Sequence, residues 1–116
     1  MTDIPSIIRL IQSRRFSLSD EKRLQGEMAG VFTEAGIEHR REYRLDAANI
    51  VDFKIDDVVI EVKIKSARTA LYRQIERYCG FDEVKALILV TNVPTGMPAE
   101  VKGTPVYVVS LARAWL

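Results

Sequence analysis

The segment that most constrains the fold is residues 58–65, whose sequence is VVIEVKIK. A strand with one exposed face alternates apolar and polar residues, whereas a strand covered on both faces has a continuous apolar run. The segment begins as the covered kind and alternates with charges only from Glu61 onwards. It is typical of an interior strand with charges at its carboxyl end, which is where open α/β sheets bind ligands.

The remaining patterns predict helices on both faces of a mixed sheet. Helical spacing predicts three helices, over 4–12, over 67–79 after a cap at Ser66, and from an N-cap at Ser19 to Gly36. Apolar or alternating runs predict about five strands, over 37–45, 50–55, 58–65, 86–91 and 105–109. A loop over 94–103 and a short helix after Ser110 complete the chain. We expect one α/β domain over 1–116 with a short helical extension at 1–16.

The composition is that of a globular domain without disulfides. With 116 residues, of which 47% are hydrophobic and 28% charged, the chain is long enough to bury one core. The single cysteine, Cys79, excludes an internal disulfide and fits a reducing compartment. The first residues lack the pattern of a signal peptide, and no apolar run is long enough to cross a bilayer. We therefore expect a cytoplasmic protein without a membrane partner.

The distribution of charge is more informative than the net charge of +1, which lacks the basic signature of many nucleic-acid binders. Basic residues concentrate between positions 40 and 77, at Arg40, Arg41, Arg44, Lys54, Lys63, Lys65, Arg68, Arg73 and Arg77. If a divalent cation neutralises Asp52 and Glu61, this stretch becomes electropositive. The arginines near position 40 are then either a solvated strand face or a track for phosphates.

Two acids on neighbouring predicted strands indicate a metal site. Asp52 lies in an apolar run, where an ionised carboxylate is unfavourable unless a cation or several donors compensate it. Lys63 lies two residues beyond Glu61, so both side chains project from the same face of their strand. Asp52, Glu61 and Lys63 together predict a compact site for a metal ion and water. Taken alone, the charged end of the strand is more typical of a half-buried strand with a solvated face. The preceding apolar triplet, the acid at position 52 and the following helix together favour the site.

These residues resemble the motifs of the PD-(D/E)XK nuclease superfamily, in which an acid on one strand precedes an acid-x-lysine on the next. The resemblance covers about residues 19–91, and Val51 stands where the name-giving motif has proline. Residues 74–78, QIERY, resemble the QxxxY motif of the branch with RecB-type and Cas4-type exonucleases. The small size resembles that of a stand-alone phage or prophage nuclease or a Holliday-junction resolvase.

The resemblance implies a restriction-endonuclease-like core and a role for each site residue. Asp52, Glu61 and the Val62 carbonyl would bind Mg²⁺ or Mn²⁺. Lys63 would orient or deprotonate the attacking water, or stabilise charge on the phosphorane. Family members often add a helical glutamate, for which Glu21 is our first choice, because its spacing places it on the sheet-facing stripe, and Glu27 our second.

The helix after the Glu61 strand is the predicted nucleic-acid contact. Gln74 would bind a phosphate or base edge, and the Tyr78 ring would stack on a base. Charge along the same path would come from Lys65, Arg68, Arg73 and Arg77. Gln74 and Tyr78 lie four residues apart, so a simple contact between the two side chains is an open alternative.

The sequence therefore predicts a magnesium- or manganese-dependent deoxyribonuclease that hydrolyses phosphodiester bonds by in-line attack of water. The alternative is a catalytically silent protein of the same fold, for example a phage-encoded nucleic-acid-binding protein or inhibitor of a host defence. Retention of an acid in an apolar strand favours the enzyme. Expected partners are DNA and a protein of phage recombination or defence. The apolar residues at 107–116 either complete the core or contact a second copy of the chain.

Overall fold

The computed structural model describes residues 3–65, 67–92 and 96–111 of the chain. In these ranges it contains three helices, α1 (Ile4–Gln12), α2 (Glu21–Glu34) and α3 (Arg68–Cys79). The strands are β1 (Arg40–Arg44), β2 (Ile50–Ile55), β3 (Val58–Lys63), β4 (Ala86–Thr91), β5 (Glu100–Val101) and β6 (Thr104–Ser110). Among the described helices, none has the length and apolar character needed to cross a bilayer.

The six strands form one mixed, open sheet in the order β1-β2-β3-β4-β6-β5. β1, β2 and β3 are antiparallel neighbours, β4 and β6 run parallel to β3, and β5 returns antiparallel to β6. In the parallel part, Lys63 lies opposite Thr91, and Thr91 lies opposite Ser110. The carboxyl ends of three strands therefore meet at one edge of the sheet.

Each face of the sheet has its own apolar core, which confirms that the sheet is flanked by helices. The first, here called the α2-side core, joins α1 and α2 to residues such as Phe53 and Ile60. The second, the α3-side core, joins α3 to residues such as Val59 and Leu87. Because Val59 and Ile60 are neighbours that face opposite cores, β3 is buried on both faces, as its sequence predicts.

The predicted number of strands was wrong, because the loop over 94–103 contains the two-residue strand β5. Val101 pairs with Thr104 across a turn in which Lys102 has a φ of 51° and Gly103 a φ of 78°. The N–H of Val106 also donates to the carbonyl of Ala99 at 2.9 Å. Two residues are too few to show a period of two, so the sequence pattern contains no sign of this strand.

The helix caps differ in two places from the prediction. The N-cap of α2 is Asp20, whose side chain accepts the N–H of Lys22 at 3.0 Å, and not Ser19. Both residues are good caps, and the carboxylate additionally interacts with the helix dipole. The end of α2 follows the prediction, with Gly36 at a φ of 74°. The N-cap of α3 is Ala67, which has no side-chain hydrogen bond to the helix, and not the predicted Ser66. Ser66 itself and the predicted C-terminal helix beyond Leu111 lie outside the described residues.

Candidate metal and nucleic-acid site

The pairing of β2 with β3 changes character at Asp52. Phe53, Lys54 and Ile55 pair regularly with β3. Val51, however, packs in the α3-side core while Phe53 packs in the α2-side core. Residues two apart on a regular strand face the same side, so the alternation is interrupted at Asp52. The Asp52 carboxylate uses this interruption to reach the neighbouring strand, where its Oδ2 accepts the N–H of Val62 at 2.8 Å.

Glu61 makes the reciprocal contact. Its Oε1 accepts the N–H of Asp52 at 3.3 Å, so each carboxylate binds the backbone of the opposite strand. Its Oε2 lies 3.6 Å from Nζ of Lys63, which confirms that Glu61 and Lys63 share a face. Glu61 is only 2% exposed. Val62, whose carbonyl is a predicted metal ligand, lies between these two residues with its side chain in the α2-side core.

Burial makes the charged state of this pair unfavourable. Desolvation, followed by the charge of Asp52, raises the pKa of Glu61 to about 8. Desolvation also raises the pKa of Asp52, against the opposing effects of the Val62 N–H and the Lys63 ammonium. Glu61 is buried and Asp52 half-buried. Two such neighbouring carboxylates are stabilised by a shared proton or by a cation. The oxygens that do not accept the backbone N–H groups of the opposite strand are Oδ1 of Asp52 and Oε2 of Glu61, of which Oε2 lies beside the Lys63 ammonium.

Of the two candidate helical glutamates, Glu21 lies at this site. Its Oε1 accepts the N–H of Ile64 at 2.8 Å, directly after β3, and its charge contributes to the raised pKa of Asp52. Glu27 instead accepts the N–H of Ser17 at 2.8 Å, in the segment before α2. The geometry thus favours Glu21 over Glu27. In the ranges described, no three His, Cys, Asp or Glu side chains are grouped closely enough to hold a metal ion.

Of the two α3 residues predicted to contact nucleic acid, Gln74 is half-exposed, whereas Tyr78 is buried beside the carboxylates. Tyr78 is 2% exposed, and its hydroxyl donates to the carbonyl of Ile50 at 2.9 Å. Gln74 Nε2 donates to the same hydroxyl at 2.9 Å. Burial, followed by the charge of Glu61, holds the pKa of Tyr78 well above its usual range. Its burial contradicts the predicted stacking contact, because a ring in the core presents no face to a base.

The predicted basic contacts lie mainly at the surface. Lys65, Arg68, Arg73 and Arg77 are exposed, as are Arg40, Arg41 and Arg44 on the edge strand β1. The Nε of Arg77 donates to Oδ1 of Asn49 at 3.2 Å, next to the start of β2. Arg77 and Tyr78 therefore both connect α3 to the segment that leads into Asp52.

One polar residue at this edge of the sheet, Asn92, was not among the site residues predicted from the sequence. It directly follows β4, whose last residue, Thr91, lies opposite Lys63. Its Oδ1 is buried and lacks a hydrogen-bond partner among the described residues. A polar residue directly after a buried strand was the signal that could have identified it.

Comparison of the chain with protein-family models, with curated proteins and with solved structures found no match. The function must therefore be argued from the site itself.

Proposed function

We propose that the chain is a metal-dependent nuclease with Asp52, Glu61 and Lys63 at its centre. The observation that carries the proposal is the pair of opposed carboxylates where the regular β2–β3 pairing ends, both with raised pKa values. Such a pair lowers the stability of the metal-free protein, and a divalent cation is the simplest partner that compensates both charges.

The arrangement of the sheet supports the finer fold assignment within this proposal. α2 is followed by the antiparallel strands β1, β2 and β3, and α3 then leads to β4, parallel to β3. This order resembles the restriction-endonuclease-like core of the PD-(D/E)XK superfamily. The candidate acids and lysine lie on its second and third strands, as in the motifs of that superfamily.

The donor set fits Mg²⁺ or Mn²⁺, which prefer oxygen ligands and keep several waters. Asp52, Glu61 and the Val62 carbonyl would hold the ion. A bound ion would polarise the scissile phosphate and lower the pKa of the attacking water. Lys63, half-buried beside Glu61, presents an ammonium that orients this water or stabilises the developing negative charge. The exposed arginines of α3 and β1 would bind flanking phosphates.

The proposal is tested by incubating the protein with linear, nicked, branched and single-stranded DNA in Mg²⁺, Mn²⁺ or EDTA. We expect cleavage that requires the metal and is lost in Asp52→Asn. Lys85→Ala is a matched control, because Lys85 is exposed just before β4, at the end of the sheet away from the site. Equal cleavage by the parent and Asp52→Asn would contradict the proposed centre.

The second candidate is a binding protein of the same fold that does not cut. It is favoured by one observation, namely that each carboxylate already accepts a backbone N–H of the opposite strand. Such a protein would bind DNA but would leave every substrate of the cleavage assay intact in both metals.

A further inference from the structure

The aromatic ring that α3 presents to solvent is Tyr72 and not Tyr78. The buried face of α3 consists of Leu71, Ile75, Tyr78 and Cys79. Tyr72 lies outside this face and is 37% exposed, one of four large apolar or aromatic side chains that are exposed in the described residues. An exposed aromatic ring offers a flat surface on which a nucleobase can stack.

Tyr72 forms part of a cavity of about 420 Å³ between the start of α3 and the segment after residue 95. Its lining residues are Arg68, Thr69, Tyr72, Gly96, Met97 and Pro98. Arg68 and Tyr72 are four residues apart and therefore share a helix face. The Arg68 guanidinium lies against Gly96: a Cβ there would lie 1.8 Å from one of its nitrogens, so a larger residue would displace this flexible side chain.

Each of the two segments that line the cavity follows a strand that ends at the sheet edge of the candidate metal site. Arg68 follows Lys63 by five residues, and Gly96 follows Thr91 by five. Lys63 and Thr91 are opposite each other at the ends of the parallel strands β3 and β4. The cavity and the candidate site therefore lie on the same side of the molecule, connected by short segments.

The chemistry of the cavity matches a nucleotide. The tyrosine ring with Met97 and Pro98 provides an apolar surface, and the Arg68 guanidinium provides charge for a phosphate. Arg73 and Arg77 are also exposed, on an adjacent face of the same helix, and add positive charge to α3. A purely apolar ligand would gain nothing from these cations.

We propose that this cavity binds an unpaired nucleobase, stacked on Tyr72, with the adjacent phosphate on Arg68. The inference rests on the proposed nuclease function and deepens it, because it assigns a substrate class. The preferred substrate has single-stranded or frayed nucleotides next to the scissile bond. A blunt duplex holds its bases inside the helix and cannot fill the cavity.

The test is fluorescence anisotropy with labelled oligothymidylate and with a labelled blunt duplex, in Ca²⁺ and with the DNA shown to stay intact. Tyr72→Ala should weaken oligothymidylate binding about 5- to 150-fold, which corresponds to one stacking contact of about 1–3 kcal/mol. Tyr72→Phe retains the ring and should bind like the parent. Tyr107→Ala is the matched control, because Tyr107 on β6 is 38% exposed, close to the value for Tyr72.

A selective loss with oligothymidylate, restored by phenylalanine, supports the proposal. Unchanged binding by Tyr72→Ala, or an equal loss with the blunt duplex, would overturn it. An oligouridylate probe distinguishes DNA from RNA as the source of the base. Cleavage by the parent in Mg²⁺ is measured separately. If binding depends on the Tyr72 ring but the parent does not cleave, only the proposed nuclease function is contradicted.

Discussion

The β2–β3 pair has two halves that differ in their effect on stability, a regularly paired apolar half and a half with two carboxylates. From Phe53 to Ile55 the strands pair regularly, and their side chains fill apolar cores. At Asp52 the alternation breaks, and side-chain carboxylates take the place of apolar contacts. The first half stabilises the fold through burial of apolar area. The second half holds two acids, Glu61 buried and Asp52 half-buried. Desolvation raises the pKa of both carboxyl groups, because their charged forms are unfavourable there.

The difference indicates that polar functional groups can be placed at one end of a strand pair when the other end fixes the register. The regular half fixes the register of β2 on β3. It also packs against α2 through an edge-to-face contact between Phe53 and Phe32, with ring centroids 5.4 Å apart. Because this half holds the register, the other half can keep polar groups that lower stability. The following predictions, from the largest expected effect to the smallest, test this division.

Removal of the Phe53 ring should give the largest loss of stability. Phe53 is fully buried, and a Phe→Ala change in a core lowers the free energy of unfolding by about 3–5 kcal/mol. Urea denaturation of Phe53→Ala measures the loss. Ile50→Ala, at an exposed position of the same strand, should change stability by much less. Equal effects at both positions would break the proposed division.

Lys63→Ala should lower the cleavage rate by about a hundredfold or more and leave the melting temperature nearly unchanged. Loss of the ammonium is tolerated because Glu61, whose pKa is raised to about 8 even beside Lys63, is largely protonated at neutral pH in the metal-free protein and needs no cationic partner. Single-turnover cleavage and thermal denaturation measure the two effects. A variant that cuts at the parental rate would show that Lys63 belongs to an ordinary solvated strand face.

The stability of the metal-free protein should fall as the pH rises. In the folded state the pKa of Glu61 is raised from 4.5 to about 8, so between these values the folded protein binds more protons than the unfolded chain. Its stability is then highest below the unfolded pKa and is lost as the pH passes the folded pKa. Glu61→Gln should flatten this slope. Melting temperatures in EDTA across the window, with equal slopes in both proteins, would contradict the prediction.

Tyr78→Phe should produce the smallest effect, because it keeps the buried ring and removes only the hydroxyl. The bond to the Ile50 carbonyl is then lost, which lowers the free energy of unfolding by about 0.5–1.5 kcal/mol. Tyr72→Phe, on the exposed face of α3, should have no measurable effect on stability. If both variants match the parent in urea denaturation, the hydroxyl does not anchor the start of β2.

The sequence was sufficient to predict the bounds of elements that have a regular apolar pattern or clear polar residues at their ends. The bounds predicted for β2 and β4 are those observed. Apolar and polar residues alternate in the sequence over 51–55, and Ala86–Thr91 is continuously apolar between polar neighbours. The contact between Gln74 and Tyr78 also agrees with the alternative that two residues four apart on a helix simply meet.

The sequence was insufficient where a single residue or a tertiary contact decides the structure. The side of α3 that is buried depends on its packing against the sheet, and this packing covers Tyr78 and exposes Tyr72. The interruption at Asp52 is likewise invisible in the apolar run around it. The roles of Asp52, Glu61 and Lys63 in catalysis stay predictions.

The measurement that most directly tests the central claim is calorimetric titration of Mn²⁺ into the parent and Glu61→Gln. We expect one binding event in the parent and none in the variant, because the shared ion loses one of its two carboxylates. Glu27→Gln is the control, since Glu27 binds the Ser17 N–H and should leave the isotherm unchanged. An undiminished isotherm in Glu61→Gln, or no binding in the parent, would contradict a metal site at Asp52 and Glu61.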